Sequence, residues 1–226
     1  MKIHTISRIL IVFLLFLLVA QCFKVPEEEV LTWTTVFSDN FDRANSADIS
    51  PFSIQVYGNG EADIYEGSLR YGGDAFWAIR ATGVPGDTIR VSAKCTIVSG
   101  QPWFGISAKS RDLGSEWRYQ ELYGFWVDAD SMGIYEIETG TESPAFIAKK
   151  ASPREPINPY IITLVVIGQE IKGYFEDTVT GIKDSIFATA SFQAIGTIAS
   201  LNGTNGKTDT VLIDNFKIET GKMSLR

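Results

Sequence analysis

Residues 52–73 read FSIQVYGNGEADIYEGSLRYGG. Apolar and polar residues alternate through Phe52–Tyr57, Glu61–Tyr65 and Ser68–Tyr71, and GNG and EGS separate the three runs. A period of two places successive side chains on opposite faces of an extended strand, and Gly, Asn and Ser supply the backbone freedom of tight turns. The stretch therefore predicts three short strands joined by hairpin turns.

The same punctuation continues outward. Alternating runs recur at Phe76–Ala81, Thr88–Val98, Trp103–Ser110, Trp117–Val127, Gly133–Glu138, Ala145–Lys149, Tyr160–Ile167, Glu170–Glu176, Ser185–Thr189, Gly196–Leu201 and Thr210–Glu219. Turn formers such as VPGD, SGQP, GTES and NGTNG lie between them. No segment after residue 22 carries the apolar repeat of a long helix, and only DRANSADI at 42–49 reads as a brief helical turn. Many short strands with in/out alternation predict an all-β fold: one two-sheet antiparallel sandwich.

The N-terminus has a different character. MKIHTISR precedes the 12-residue apolar run Ile9–Ala20. A basic start and short apolar core match a secretory signal, and the run falls short of the roughly 20 residues that cross a membrane. Val19-Ala20-Gln21-Cys22 resembles the lipobox of bacterial lipoproteins, with Gln21 where Gly, Ala or Ser is usual and Cys22 as the lipidated residue. Plain secretion and an uncleaved anchor are the alternatives. The expected organisation is a signal at 1–21, a lipidated Cys and acidic tether at 22–32, the sandwich at 33–220 and a tail at 221–226.

Without residues 1–21 the chain has 18 Lys and Arg against 27 Asp and Glu, a net charge of 18 − 27 = −9. That sign disfavours nucleic acid and anionic membrane surfaces, so a membrane enters only through the anchor. The only His, His4, lies in the signal, which removes Ser/His/Asp and Cys/His catalysis from the rest of the chain. Cys22 and Cys95 are the only cysteines. Cys95 is either a buried free thiol, when Cys22 carries lipid, or its disulfide partner.

The order of segments resembles a known family. FSDNFDRANSADIS at 37–50, residues 52–73, FGISAKSRD at 104–112, ITLVVIGQEIKGYFED at 162–177 and VLIDNFKIE at 211–219 are similar to successive parts of concanavalin A-like lectin/glucanase jelly rolls, bacterial laminin-G-like domains among them. The resemblance covers about residues 33–220 and implies first and last strands lying side by side. It fixes no single function, because the fold hosts binding modules, adhesins and hydrolases.

The resemblance also supplies candidate sites. Glu61, Asp63 and Glu66 match the E-x-D-x-x-E spacing of β-glucanases, in which the first Glu attacks, the last is acid/base and the Asp tunes the nucleophile. Retaining hydrolysis needs the two carboxyls about 5–5.5 Å apart, and Glu66 reaches the face of Glu61 only across a β-bulge. GNG and EGS leave a five-residue strand whose alternate face, Ala62 and Ile64, is core. The acids therefore read as the solvent side of an edge hairpin. Asp39, Asp42 and Asp214 lie near the two chain ends, where relatives hold a structural Ca²⁺; otherwise they are turn caps.

Trp103, Trp117, Tyr119, Tyr123 and Trp126 fall within 24 residues. Trp117, Tyr119, Glu121 and Tyr123 share one strand parity, as a ligand-stacking face would, with Arg111, Asp112 and Arg118 as polar companions; otherwise the rings fill the core. The expectation is an exported, lipid-anchored module that binds carbohydrate or another ligand without catalysis. A glycoside hydrolase and an envelope protein–protein contact domain are the alternatives.

Overall fold

The computed structural model describes residues 29–50, 53–58, 61–72, 75–81, 83–111, 121–138, 144–154, 158–203 and 208–225. The first strands are β1 (Glu29–Asp39), β2 (Ser53–Gly58), β3 (Glu61–Tyr65), β4 (Ser68–Gly72) and β5 (Ala75–Ala81). Then come β6 (Thr88–Ser99), β7 (Phe104–Arg111), β8 (Glu121–Val127), β9 (Ser131–Ile137) and β10 (Ala145–Ala151). The last are β11 (Tyr160–Ile167), β12 (Glu170–Asp177), β13 (Lys183–Thr189), β14 (Ile198–Gly203) and β15 (Thr210–Leu225). Among the described residues there is no helix.

Two antiparallel sheets account for all of them. One has eight strands in the order β13-β12-β11-β6-β15-β4-β3, with β1 also paired to β15. The other has seven, in the order β10-β9-β8-β7-β14-β5-β2. The predicted sandwich is present, and its first and last strands are neighbours as expected. Among the described residues the chain divides into two compact units, residues 33–222 and a second holding residues 29–32 with 223–225. In the second, the Ser224 hydroxyl donates to the Val30 carbonyl at 3.4 Å.

Within residues 33–222, alternation along the strands builds the core. Ile89, Val91, Ala93 and Cys95 of β6 face Ile162, Leu164 and Val166 of β11 and Phe125 and Ile134 of the other sheet's strands in one buried cluster. Gly173 on β12 is required there, because a Cβ would lie 2.3 Å from the Phe125 ring. Full burial of each Val, Leu, Ile or Phe side chain there contributes about 1.5–3 kcal/mol. Cys95 is a buried free thiol, and burial raises its pKa well above the ordinary value.

Three local features differ from the sequence expectations. Residues 42–49 form no helical turn. Ser46 instead exchanges backbone hydrogen bonds with Ile64 in β3, at 3.0 and 2.8 Å. Asp39, Ser46 and Asp48 side chains accept from backbone N–H groups two residues on, the local bonding by which Asp and Ser compete with a helix. β1 begins at Glu29, inside the stretch read as a tether, and β15 runs to Leu225, through the stretch read as a tail.

Candidate functional site

The acidic motif lies in the β3–β4 hairpin, at the end of the eight-stranded sheet. Asp63 pairs across the ladder with Arg70, and the guanidinium binds both carboxylate oxygens at 2.9 and 2.6 Å. The same guanidinium rests 4.1 Å from the centroid of the Tyr65 ring. Glu66 and Gly67 form the two-residue turn with φ of 50° and 73°, the double-positive backbone of a type I′ hairpin. Glu66 is exposed and its N–H donates to Asn45 Oδ1 at 2.9 Å. The side chain of Glu61 lies outside the described residues. Asp63 is thus an ion-paired carboxylate and Glu66 a turn residue, with no bulge turning it toward β3.

The proposed cation ligands do not converge. Asp39 binds Arg43 through both oxygens at 2.9 and 2.8 Å and caps the Phe41 N–H. Asp214 accepts from the N–H and side-chain amide of its neighbour Asn215. Asp42 is exposed. Among the described residues no three acidic, Cys or His side chains form a cluster able to hold a metal. Paired with its own Arg, Asp39 is a poor Ca²⁺ ligand, so the three residues do not fit that ion.

On β8 the parity is opposite to the one expected for a ligand face. Tyr123, Phe125 and Val127 belong to the inter-sheet core, whereas Leu122 and Trp126 belong to a separate cluster on the outer side of the seven-stranded sheet. Tyr123 and Glu121 hold the connection from β13 to β14. The Tyr123 hydroxyl donates to the Phe192 carbonyl and accepts from the Ala194 N–H, and Glu121 accepts from the Ile195 N–H at 2.7 Å. Glu136 accepts from the N–H and hydroxyl of Ser191 in the same segment. Burial raises the Tyr123 pKa, against the Ala194 hydrogen bond that lowers it. Arg111 is exposed at the end of β7, paired with Glu121 beyond the bulge between Ala108 and Arg111. Trp103 packs, partly buried, on the outer cluster. Trp117 and Tyr119, with Asp112 and Arg118, lie outside the described residues.

The outer side of the seven-stranded sheet is better organised, although most of it is buried. Leu122 and Trp126 of β8 and Tyr135 and Ile137 of β9 form its apolar part. Beside them runs a polar row: Ser107 bonds Ser200, the Ser200 hydroxyl donates to Asn202 Oδ1 at 3.4 Å, and the Asn202 amide donates to the Tyr135 hydroxyl at 3.3 Å. Burial pushes the Tyr135 phenol far above its ordinary range. Gly124 makes room for Tyr135, since a Cβ there would sit 2.1 Å from its ring. Gly133 likewise leaves space beside the Trp126 indole. The indole N–H is buried and without a partner among the described residues.

Phe146 of β10 closes the row at the sheet edge. Its ring meets Trp126 and Tyr135 edge-on, with centroids 5.6 and 6.1 Å away. It nevertheless stays 57% exposed. The residues missed from the sequence are therefore Phe146, Tyr135 and the Ser/Asn row. The usable signal was the mid-strand glycines Gly124 and Gly133, which mark a close approach by a neighbouring group.

Solved structures place this architecture. A Bacillus subtilis protein of unknown function with a galectin-like fold superposes with a TM-score of 0.63 at 8% identity, covering 84% of this chain and 99% of that one. The fold is a concanavalin A-like jelly roll. A carbohydrate-binding module from Bacillus subtilis shares it with a TM-score of 0.51 at 20% identity, over 83% and 95% of the two chains. The catalytic domain of a Thermotoga petrophila endo-1,3-β-glucanase does so with a TM-score of 0.60 at 12% identity, over 85% and 100%. No protein-family profile and no curated protein sequence matches the chain. In this concanavalin A-like jelly roll the glucanase-like spacing falls on the eight-stranded sheet, and the aromatic row falls on the other.

Proposed function

We propose that the chain is an exported, lipid-anchored module that binds a polysaccharide or glycan without cleaving it. The observation that carries the reading is Phe146, an exposed ring braced by two buried aromatics at the end of a polar row. An immobilised aromatic face suits the C–H face of a sugar ring, and the buried Ser/Asn row holds Tyr135 behind it at low entropic cost to binding. A carbohydrate-binding module and lectins among the structures sharing the fold support the reading. The Asp63–Arg70 pair and the turn position of Glu66 support the absence of cleavage by that motif.

Affinity electrophoresis of the full chain through gels containing neutral and acidic polysaccharides tests it. Wild type is retained by at least one, and Phe146→Ala binds about tenfold more weakly, near 1.4 kcal/mol. Phe146 is largely exposed, so its melting temperature stays close to wild type. No retention anywhere, or equal retention of Phe146→Ala, overturns the proposal. Anchoring is checked separately: radiolabelled fatty acid fed to a bacterial expression host enters the wild-type chain and not Cys22→Ser, and label absent from both rejects the anchor.

A further inference from the structure

β10 reads AFIAKKA, and simple alternation would place Phe146 and Lys149 on opposite faces. The ladder with β9 contradicts this. Phe146 pairs with Tyr135 and Lys149 with Gly133, while the register shifts between Phe146 and Ala148. Ile147 is the extra residue of a β-bulge, and a bulge re-aims the side chains beyond it. Tyr135 and Gly133 lie two residues apart on one face of β9, so their partners Phe146 and Lys149 share that face. Lys150, one further on, is paired with Met132 and turns the other way, where its ammonium binds Asp184 at 2.6 Å.

Lys149 therefore stands beside the aromatic row with no carboxylate partner among the described residues. Its Nζ lies 5.4 Å from the centroid of the Trp126 ring, and the residue is exposed. Gly133, its strand partner, leaves room on that side, because a Cβ there would come 2.8 Å from the Ala148 carbonyl and 3.1 Å from the indole Nε1. An ammonium above an indole and beside an exposed phenyl ring is a two-part receptor: a flat face for C–H groups and one point for an anion. Two residues of strand separate the parts by about 7 Å along the backbone. One pyranose ring on Phe146 with a carboxylate at its edge spans that interval.

We propose that this rim of the seven-stranded sheet selects an acidic sugar, a uronate residue, with its ring on Phe146 and its carboxylate on Lys149. The inference rests on the carbohydrate reading above and names the ligand class of the same face. The net negative chain does not forbid an acidic glycan at short range, since at physiological ionic strength charges beyond about 8 Å are screened.

The test compares the full chain on polygalacturonate, on its fully methyl-esterified form, on a sulfated glycan and on a neutral β-glucan, all at physiological salt. Wild type is expected to bind polygalacturonate at least tenfold more tightly than the ester, and Lys149→Gln to lose that preference while Phe146→Ala weakens binding to both about tenfold. Lys149 is exposed, so Lys149→Gln should melt with wild type. Equal binding to ester and acid, preference for the sulfated glycan, or an unchanged preference in Lys149→Gln overturns the inference. Retention by the neutral glucan alone overturns it while leaving carbohydrate binding standing. Retention by none of the four, nor by the wider panel above, removes both.

Discussion

At the scale of one residue, Glu66 shows how a motif match can come from a turn. An L-residue in the left-handed region costs about 1–2 kcal/mol, a cost that Asn partly relieves by local hydrogen bonding. Glu66 adopts φ of 50° ahead of Gly67 at 73°, and Asn-Gly is the favoured pair for such a turn. Glu66→Asn is expected to stabilise the chain by up to about 1 kcal/mol, raising the melting temperature by about 2–4 °C. It should leave polysaccharide retention unchanged. A variant that melts lower, or one that loses a glycan-cleaving activity, would show Glu66 to be more than a turn residue. The turn was legible because EG stands between two alternating runs. The partner of Asp63 was less legible, since Arg70 meets it only through the register of the hairpin.

At the scale of the strand, the limit of sequence reading was burial on both faces. β8 is ELYGFWV, with apolar or aromatic residues at both parities, and all seven residues are buried. Alternation identifies a core face only when the other face is wet. That is why Tyr123 could be read as ligand-facing when it holds the β13–β14 connection, while Trp126, which lies on the outer row, was left off the candidate face. β6, with its alternating burial, was legible as written. Bulges are the second limit. The one at Ile147 puts Phe146 and Lys149 on one side, and the one between Ala108 and Arg111 brings Lys109, at φ of 60°, to the carbonyl of Gly86 and to Asp87. A bulge exists only relative to its partner strand, so no local pattern announces it.

At the scale of the whole jelly roll, strand order carried the recognition even though each motif alone was weak. The first and last strands pair as that order implied. What ties the sheets at their edges is charge that local patterns could not assign, such as Lys150 on β10 reaching Asp184 on β13. This tie and the carboxylates bonded within the eight-stranded sheet make stability depend on acid. Asp177 is held below its ordinary pKa first by the Thr180 N–H, then by Asn158 and the Val179 N–H, which outweigh its burial. Glu219 is lowered by Arg90 and then Lys217. Asp184 is raised by burial but lowered overall by Lys150 and the Ser185 N–H. A depressed carboxylate stabilises the fold fully above its unfolded pKa, about 4, and loses that contribution as pH falls through the lower folded value. Melting curves should therefore be nearly flat between pH 6 and 8 and fall below about pH 4. Asp177→Asn should melt below wild type at neutral pH and converge on it in acid, as the wild-type carboxylate takes up its proton. Calorimetry across that range gives the comparison, and two curves that stay parallel down to pH 2.5 would remove the Asp177 carboxylate from the account.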